Sequence, residues 1–402
     1  MQEPVFRHLK PDEISAHTQL MQNCFSEIHD PDPEPDDRPE GLAPDLFCQC
    51  VTGGFVGDDL VTAAAAIPFR QKVRDRLLSM AGVAGVATYP EYRARGWVRL
   101  LFAAMLRDAR ENGCAVSMLA PFKPSFYERL GYVAVNGSQT VTFNPEALAA
   151  YRHRAQPDHT LERCLGDPGR QRMFTLVETH PEWLHHGQVW FDSVRHPRFE
   201  RRFRNSCSVF VQDQGRDIGV LTYLKNGDCL EVLLLGAESR SALVALLGYL
   251  AAHRDQVPNL RFHLPPGTRF WEWIGDTRHL EVRQNANPWQ VRILDTVTAL
   301  QGHSCSRPGC LVVEIEDELC PWTAGRYRLE VCDARLSVTP CGPGTEVVDA
   351  RADQRALAAL LYGAASCETL TWREWLSVSK PDTGVLLDTW FPVQTMDSMV
   401  HF

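Results

Sequence analysis

The chain has 402 residues, 44% apolar and 23% charged, with 41 Lys and Arg against 50 Asp and Glu for a formal net charge of −9. This length provides for two or three domains with cores of their own, and the composition excludes a chain that is mainly disordered. The acidic balance argues against a general nucleic-acid binder and favours cationic partners.

Met1 to Lys10 has no basic segment leading into an apolar one, and no apolar run approaches the ~20 residues of a membrane helix. A cytoplasmic protein with no membrane partner is therefore expected. His29-Asp30-Pro31-Asp32-Pro33-Glu34-Pro35-Asp36-Asp37-Arg38-Pro39-Glu40 is acidic and proline-rich, the composition of a solvated, extended loop. If such a loop borders a pocket, it draws in polycations.

Val83 to Thr88 reads as a strand, and Arg93-Ala94-Arg95-Gly96-Trp97-Val98-Arg99 follows it. Val98, Leu101, Phe102, Met105, Leu106 and Ala109 then recur at helical spacing, which places Gly96 at the first turn of a helix buried on one face. Free amides there would point at an anion, as a pyrophosphate cradle requires, so a coenzyme A thioester is the first ligand to consider. Glu111-Asn112-Gly113 stops the helix, and Ala115 to Ala120 reads as a second buried strand. Ser125-Phe126-Tyr127-Glu128 has capping-box spacing and puts Tyr127 in the first turn of a short helix.

Two groups of metal-type residues do not fit a metal. His180, His185 and His186 are not spaced as His-Glu-x-x-His, and Pro181 interrupts the helix that would align them. The thirteen cysteines include Cys48-x-Cys50 and the pair Cys305 and Cys310, neither a paired zinc spacing, so reduced and mostly buried thiols are expected. No metal is assigned.

An offset of 144 residues lays Phe126-Tyr127-Glu128-Arg129-Leu130-Gly131 on Phe270-Trp271-Glu272-Trp273-Ile274-Gly275. The same offset brings the helix at Gly96 onto one near Arg240 with a stripe of Leu243, Leu246, Leu247 and Leu250, each helix following a strand-like run. Two copies of one α/β unit are inferred. In the second copy Arg93, Ala94, Arg95 and Gly96 become Ala237, Glu238, Ser239 and Arg240, and Tyr127 becomes Trp271, whose indole has no readily lost proton. The first copy is the catalytic candidate. Beyond Trp289, Leu311 to Ile315, Arg326 to Val331 and Arg335 to Val338 read as strands and Asp353 to Tyr362 as a helix, an α+β segment. The expected organisation is 1–150, 151–290 and 291–402.

The order strand, Arg-x-Arg-Gly, helix, strand and Phe-Tyr-Glu-Arg-Leu-Gly-Tyr resembles the GNAT acyltransferase superfamily. Pro121-Phe122-Lys123-Pro124-Ser125-Phe126-Tyr127, the run Trp289 to Gln301, the string Cys320-Pro321-Trp322-Thr323-Ala324-Gly325-Arg326-Tyr327 and a chain ending in Phe402 look like its Eis-type (enhanced intracellular survival) branch. The resemblance implies two tandem GNAT-like units, the second degenerate, followed by a sterol-carrier-protein-like domain. It further implies a homohexamer and an aminoglycoside-like or other small polyamine acceptor.

Acyl transfer to an amine needs a polarised thioester, a neutral nucleophile and a proton for the departing thiolate. By this resemblance, amides around Val86, Ala87 and Thr88 hold the pantetheine arm of acetyl-CoA, and Arg93 to Arg99 take the pyrophosphate. Tyr127, whose ordinary pKa near ~10 keeps it protonated, is the candidate acid. Tyr132 is its rival, placed after Gly131 at the start of the next strand. The C-terminal carboxylate of Phe402 is the candidate base, on a tail that Trp390, Phe391, Met396, Met399 and Val400 make apolar. Phe122, counted with the cofactor contacts, stands near the thioester where mycobacterial members often have a serine, His401 where they have an acidic residue, and Val98 at the Gly/Ala place of the cradle; acceptor preference, more than cofactor binding, is expected to respond. Two other readings use the same chain: a protein lysine acetyltransferase, and a non-enzymatic carrier of lipids in the third segment.

Overall fold

The computed structural model describes residues 3–25, 43–135, 137–152, 159–191, 203, 205–284, 289–342, 344 and 347–396. The acidic loop at 29–40 and the terminal residues His401 and Phe402 lie outside them.

The first unit holds β1 (Val5–His8), helices α1 (Ile14–Phe25) and α2 (Pro44–Cys50), then β2 (Val51–Val56), β3 (Asp59–Val73) and β4 (Arg76–Thr88). Helix α3 (Trp97–Glu111), β5 (Val116–Leu119), α4 (Pro124–Glu128), β6 (Val133–Ala134) and β7 (Gln139–Phe143) follow. The second has β8 (His159–Leu165), β9 (Val189–Phe191), β10 (Cys207–Asp213), β11 (Arg216–Asn226) and β12 (Cys229–Ala237), then helix Arg240–Ala251, β13 (Asn259–Leu264), β14 (Glu281–Gln284) and β15 (Gln290–Ile293). The third has β16 (Gly309–Glu316), β17 (Gly325–Cys332), β18 (Arg335–Cys341), β19 (Ala350–Asp353), helix Gln354–Tyr362 and β20 (Leu376–Val378).

The first two sheets follow one plan. The first runs β1-β2-β3-β4-β5-β15-β6, with β9 added alongside β3, and the second runs β14-β7-β13-β12-β11-β10-β8. In each, antiparallel strands lead to one parallel pair, β4 with β5 and β12 with β13, bridged by an amphipathic helix. In each, the strand beyond that pair comes from the other half of the chain. β7, which precedes residue 150, pairs with β13 and β14, whereas β15, starting at residue 290, pairs with β5 and β6. The two halves have exchanged strands.

The helical stripes behave as their spacing predicts. Leu101, Phe102, Met105 and Leu106 of α3 are at most 1% exposed and pack with Val83 and Leu119, and full burial of such side chains contributes roughly 1.5–3 kcal/mol each. Leu246, Leu247 and Leu250 do the same in the second unit. The third sheet, ordered β18-β17-β16-β19-β20, packs around helix Gln354–Tyr362, all of whose apolar residues are buried.

The β3–β4 turn ties the third sheet to the first. Arg74, at φ 52°, donates to the carbonyls of Leu360 and Leu361, while Asp75 accepts from Ser304 and Arg335 and meets His303 at 2.9 Å. Burial alone would raise the Asp75 carboxyl, but hydrogen bonds from His303 and Ser304 together with the His303 charge hold it well below the usual carboxylate range. No helix among the described residues is long and apolar enough to cross a membrane.

Candidate active site

The cleft begins where β4 and β5 part. Their parallel pairing runs only from Met80↔Val116 to Val83↔Leu119. Just beyond, β4 has one residue more than β3 between the pairs Ala65↔Ala84 and Ala63↔Ala87, and Gly85 takes φ +59° there. This is a bulge that a side chain would strain, and it turns the end of β4 away from its neighbour. Ala87 and Thr88 therefore pair with β3 on one side, and Val86, Ala87 and Thr88 face the opening with the other. Thr62 Oγ1 donates to the Ala87 carbonyl at 2.8 Å and Arg93 Nε to the Thr88 carbonyl at 2.9 Å, fixing this edge from behind.

The cradle follows at once. A 3-10 turn over Pro90–Tyr92 leads to Arg93, then to Ala94 at φ +58° and Gly96 at φ +77°. Gly96 is the N-cap of α3 and offers no side chain to the amides of the first turn; the Arg99 amide donates to the Gly96 carbonyl at 3.0 Å, while, among the described residues, those of Trp97 and Val98 stay open to an anion. A Cβ on Gly96 would meet nothing within 4 Å, so it is the left-handed φ that selects glycine in the free protein. The Arg95 guanidinium lies 5.3 Å from the ring centres of both Tyr92 and Trp97, and Arg99 pairs with Glu318 of the third segment at 3.2 Å.

A cavity of about 730 Å³ joins these parts. Val86, Ala87 and Thr88 form one wall. Arg93, Ala94, Arg95, Gly96, Trp97, Val98 and Arg99 form the next, and Phe122 and Phe126 close a third. All eleven residues that the sequence assigns to the cofactor thus surround one space. Cys24, Phe25 and Tyr92 also line it, with Cys24 Sγ 3.6 Å from the Thr88 carbonyl oxygen. Nothing in the sequence of α1 marks Cys24 or Phe25; only the packing of α1 against the end of β4 brings them there.

Tyr127 sits behind Phe122 and Phe126. The expected capping box is absent: α4 begins at Pro124, and its N-cap is Lys123, which makes no side-chain cap. Proline at the first position starts the helix with its fixed φ instead. Tyr127 is 4% exposed, its ring 5.1 Å from that of Phe126, 5.6 Å from Phe122 and 6.0 Å from Phe102. Burial pushes its phenol up to about 12, and its hydroxyl has no hydrogen-bond partner among the described residues. Tyr132 differs. It is fully buried, with its hydroxyl 2.7 Å from Ser117 Oγ, and so holds a structural bond. The chain is described as far as Met396, which fills the space where a side chain on Gly187 would sit; Phe402 lies beyond it, outside the described residues.

The second unit shows what the cradle looks like when disabled. β12 and β13 part after Val232↔Phe262, but only two residues connect β12 to helix Arg240–Ala251. Ser239 is the N-cap, and its Oγ accepts the Ala242 amide at 3.2 Å, so a side chain caps this terminus, as none does at Gly96. The structural equivalent of Gly96 is thus Ser239, one position from the residue that the 144 offset aligns with it. Glu238 stands beside this terminus with two hydrogen bonds from Arg216, at 2.7 and 2.8 Å. Trp183 packs on the face of β12 at Gly236. His180 pairs with Glu182 and stacks on Trp183, and no group of three or more possible metal ligands occurs among the described residues.

Comparison with known proteins agrees with this architecture. Residues 5–135 match the acetyltransferase (GNAT) domain family, and residues 296–396 match the sterol carrier protein domain family. A Streptomyces avermitilis protein named as an N-acetyltransferase is 25% identical over 80% of this chain and 82% of its own. A GCN5-related N-acetyltransferase from Kribbella flavida has the same fold at TM-score 0.79 and 21% identity, covering 100% of this chain and 98% of that one. Eis1 from Mycobacterium abscessus shares the fold at TM-score 0.72 and 19% identity, over 99% of this chain and 100% of that one. With a GNAT domain at its N-terminus and an SCP2-like domain at its C-terminus, the chain is an acetyltransferase of the GNAT superfamily.

Proposed function

We propose that this protein transfers the acetyl group of acetyl-CoA to amines of a polycationic acceptor, an aminoglycoside-like molecule or a polyamine, as an Eis-type enzyme. The observation that supports it most is the single cavity that unites an unpaired strand edge, an uncapped helix N-terminus and, just behind its aromatic wall, a phenol with a free hydroxyl.

The residues present fit the co-substrate. The open side of Val86, Ala87 and Thr88 offers a strand edge to the pantetheine amides, and Gly96, Trp97 and Val98 offer backbone donors to the pyrophosphate, with Arg93 and Arg95 beside them. Tyr127 holds the proton that the departing thiolate needs. Its raised pKa does not remove it from that task, because the burial that disfavours phenolate equally disfavours a thiolate formed in the same apolar setting. The carboxylate of Phe402 takes a proton from the acceptor's ammonium group, leaving the neutral amine that attacks the thioester carbonyl. Phe402 is six positions beyond Met396, enough to reach ~20 Å when extended. The acidic loop at 29–40 and the net charge of −9 favour a cationic acceptor over an anionic one. Assembly as a hexamer belongs to the same reading.

A thiol-release assay with acetyl-CoA across aminoglycosides, polyamines and lysine peptides tests it. Turnover is expected on the multiply charged small molecules, and it should fall at least 100-fold when one residue is added after Phe402. Activity confined to lysine peptides would move the protein to the lysine acetyltransferase class. A flat panel with folded protein would refute the acceptor assignment.

A further inference from the structure

Among the described residues, nothing fills the second unit's cleft. Between the diverging ends of β12 and β13 lies a cavity of about 660 Å³, within the range of small-molecule sites, and its walls are mostly apolar. Leu243, Leu247, Phe262, Phe270 and Trp273 line it, with Trp183 as the wall over Gly236. Acetyl-CoA has no place here, since the connecting loop is missing and Ser239 occupies the helix terminus.

The charges at its mouth are unevenly satisfied. Glu238 is held by both nitrogens of Arg216, and Glu182 is bonded to His180 at 2.9 Å. Arg240 also lines the cavity, is exposed, and has no ion pair or hydrogen bond among the described residues. An apolar chamber whose carboxylates already have hydrogen-bond partners, with one free guanidinium at its rim, is complementary to an apolar body ending in an anion. Arg is suited to a carboxylate because its planar fork can bind both oxygens.

We infer that the second unit's cleft is a binding site for an apolar carboxylate of fatty-acid type, with its chain between Leu243 and Trp273 and its head group on Arg240. The site is separate from the acetyl-transfer cleft and does not depend on the proposed acceptor. It also lies outside the SCP2-like domain, although Thr395, from the tail that leaves that domain, forms part of its wall.

Calorimetric titration of the full chain with decanoate, decylamine and decanol tests this, all three sharing one apolar body. Decanoate is expected to bind at least 10-fold tighter than the other two and to persist in saturating coenzyme A. Arg240→Gln should weaken it at least 10-fold. Leu243→Trp, which fills the chamber from a half-buried position, should abolish it, and both variants should keep wild-type melting and acetyl transfer. Four results would overturn the inference: no decanoate binding below 1 mM, equal or better binding of the amine, insensitivity to either variant, or displacement by coenzyme A.

Discussion

Gly96→Ala isolates the cradle from the fold around it. In the free protein the added methyl meets nothing within 4 Å, so its cost is conformational: alanine at φ +77°, about 1 kcal/mol. Gly57, at φ +65° in the β2–β3 turn, also has nothing within 4 Å of a built Cβ and does not line the cleft. Gly57→Ala is therefore the matched control, and the two variants should lose similar stability in thermal melts. They should part company in acetyl-CoA kinetics. If the amides after Gly96 bind pyrophosphate, the methyl enters the anion's space and loosens one charge-assisted hydrogen bond, worth about 1.5–3 kcal/mol. That corresponds to a rise of about 10- to 100-fold in KM for acetyl-CoA, with the acceptor KM little changed. A Gly96→Ala enzyme whose acetyl-CoA KM stays within twofold of wild type, while its melting falls as in Gly57→Ala, would refute the assignment of the cradle.

Tyr127→Phe should lower kcat by about 10²- to 10⁴-fold with little change in melting, since the ring keeps its contacts with Phe102, Phe122 and Phe126 and the lost hydroxyl has no partner to strand. Tyr132→Phe should show the reverse, a stability loss of about 1 kcal/mol from the broken Ser117 bond and a nearly intact kcat. Asp75→Asn should destabilise the protein by about 1–2 kcal/mol at pH 7 in denaturant titrations, a figure reduced for the partial exposure of the carboxylate. Because the folded Asp75 pKa is depressed, its contribution is complete above an unfolded value near ~4 and is lost as pH falls through the folded one. The gap between wild type and variant should therefore narrow below pH 4; a gap that stays constant would show that the carboxylate charge is not what ties the turn to Ser304 and Arg335.

The cradle was legible because its determinants are local. A strand, a left-handed glycine and a one-sided apolar helix leave their marks within about thirty residues, and each sits where its pattern places it. The third segment was readable for the same reason, its strands being hairpin neighbours and its helix an unbroken apolar run. Contacts set by tertiary packing were not. Nothing in Gln139–Phe143 or Gln290–Ile293 says which sheet each strand joins, since a strand's sequence encodes its faces and not its neighbours. Cys24 enters the cavity only through the way α1 lies on β4. The capping box misled because Ser-x-x-Glu spacing matched while Pro124, one residue earlier, supplied the stronger start. The sequence shows Glu238 at the start of the second unit's helix but hides Arg216, the residue whose guanidinium holds it.

The strand exchange explains why an inert copy would be kept. Tyr127 lies on a short helix whose following strand, β6, reaches the first sheet only through β15, a segment encoded after the second unit. Such an exchange leaves each half holding a piece of the other, so the second half cannot be deleted without unseating Tyr127, the proposed acid of the first. Selection on catalysis then preserves the backbone of the silent half while leaving its cleft free to change occupant.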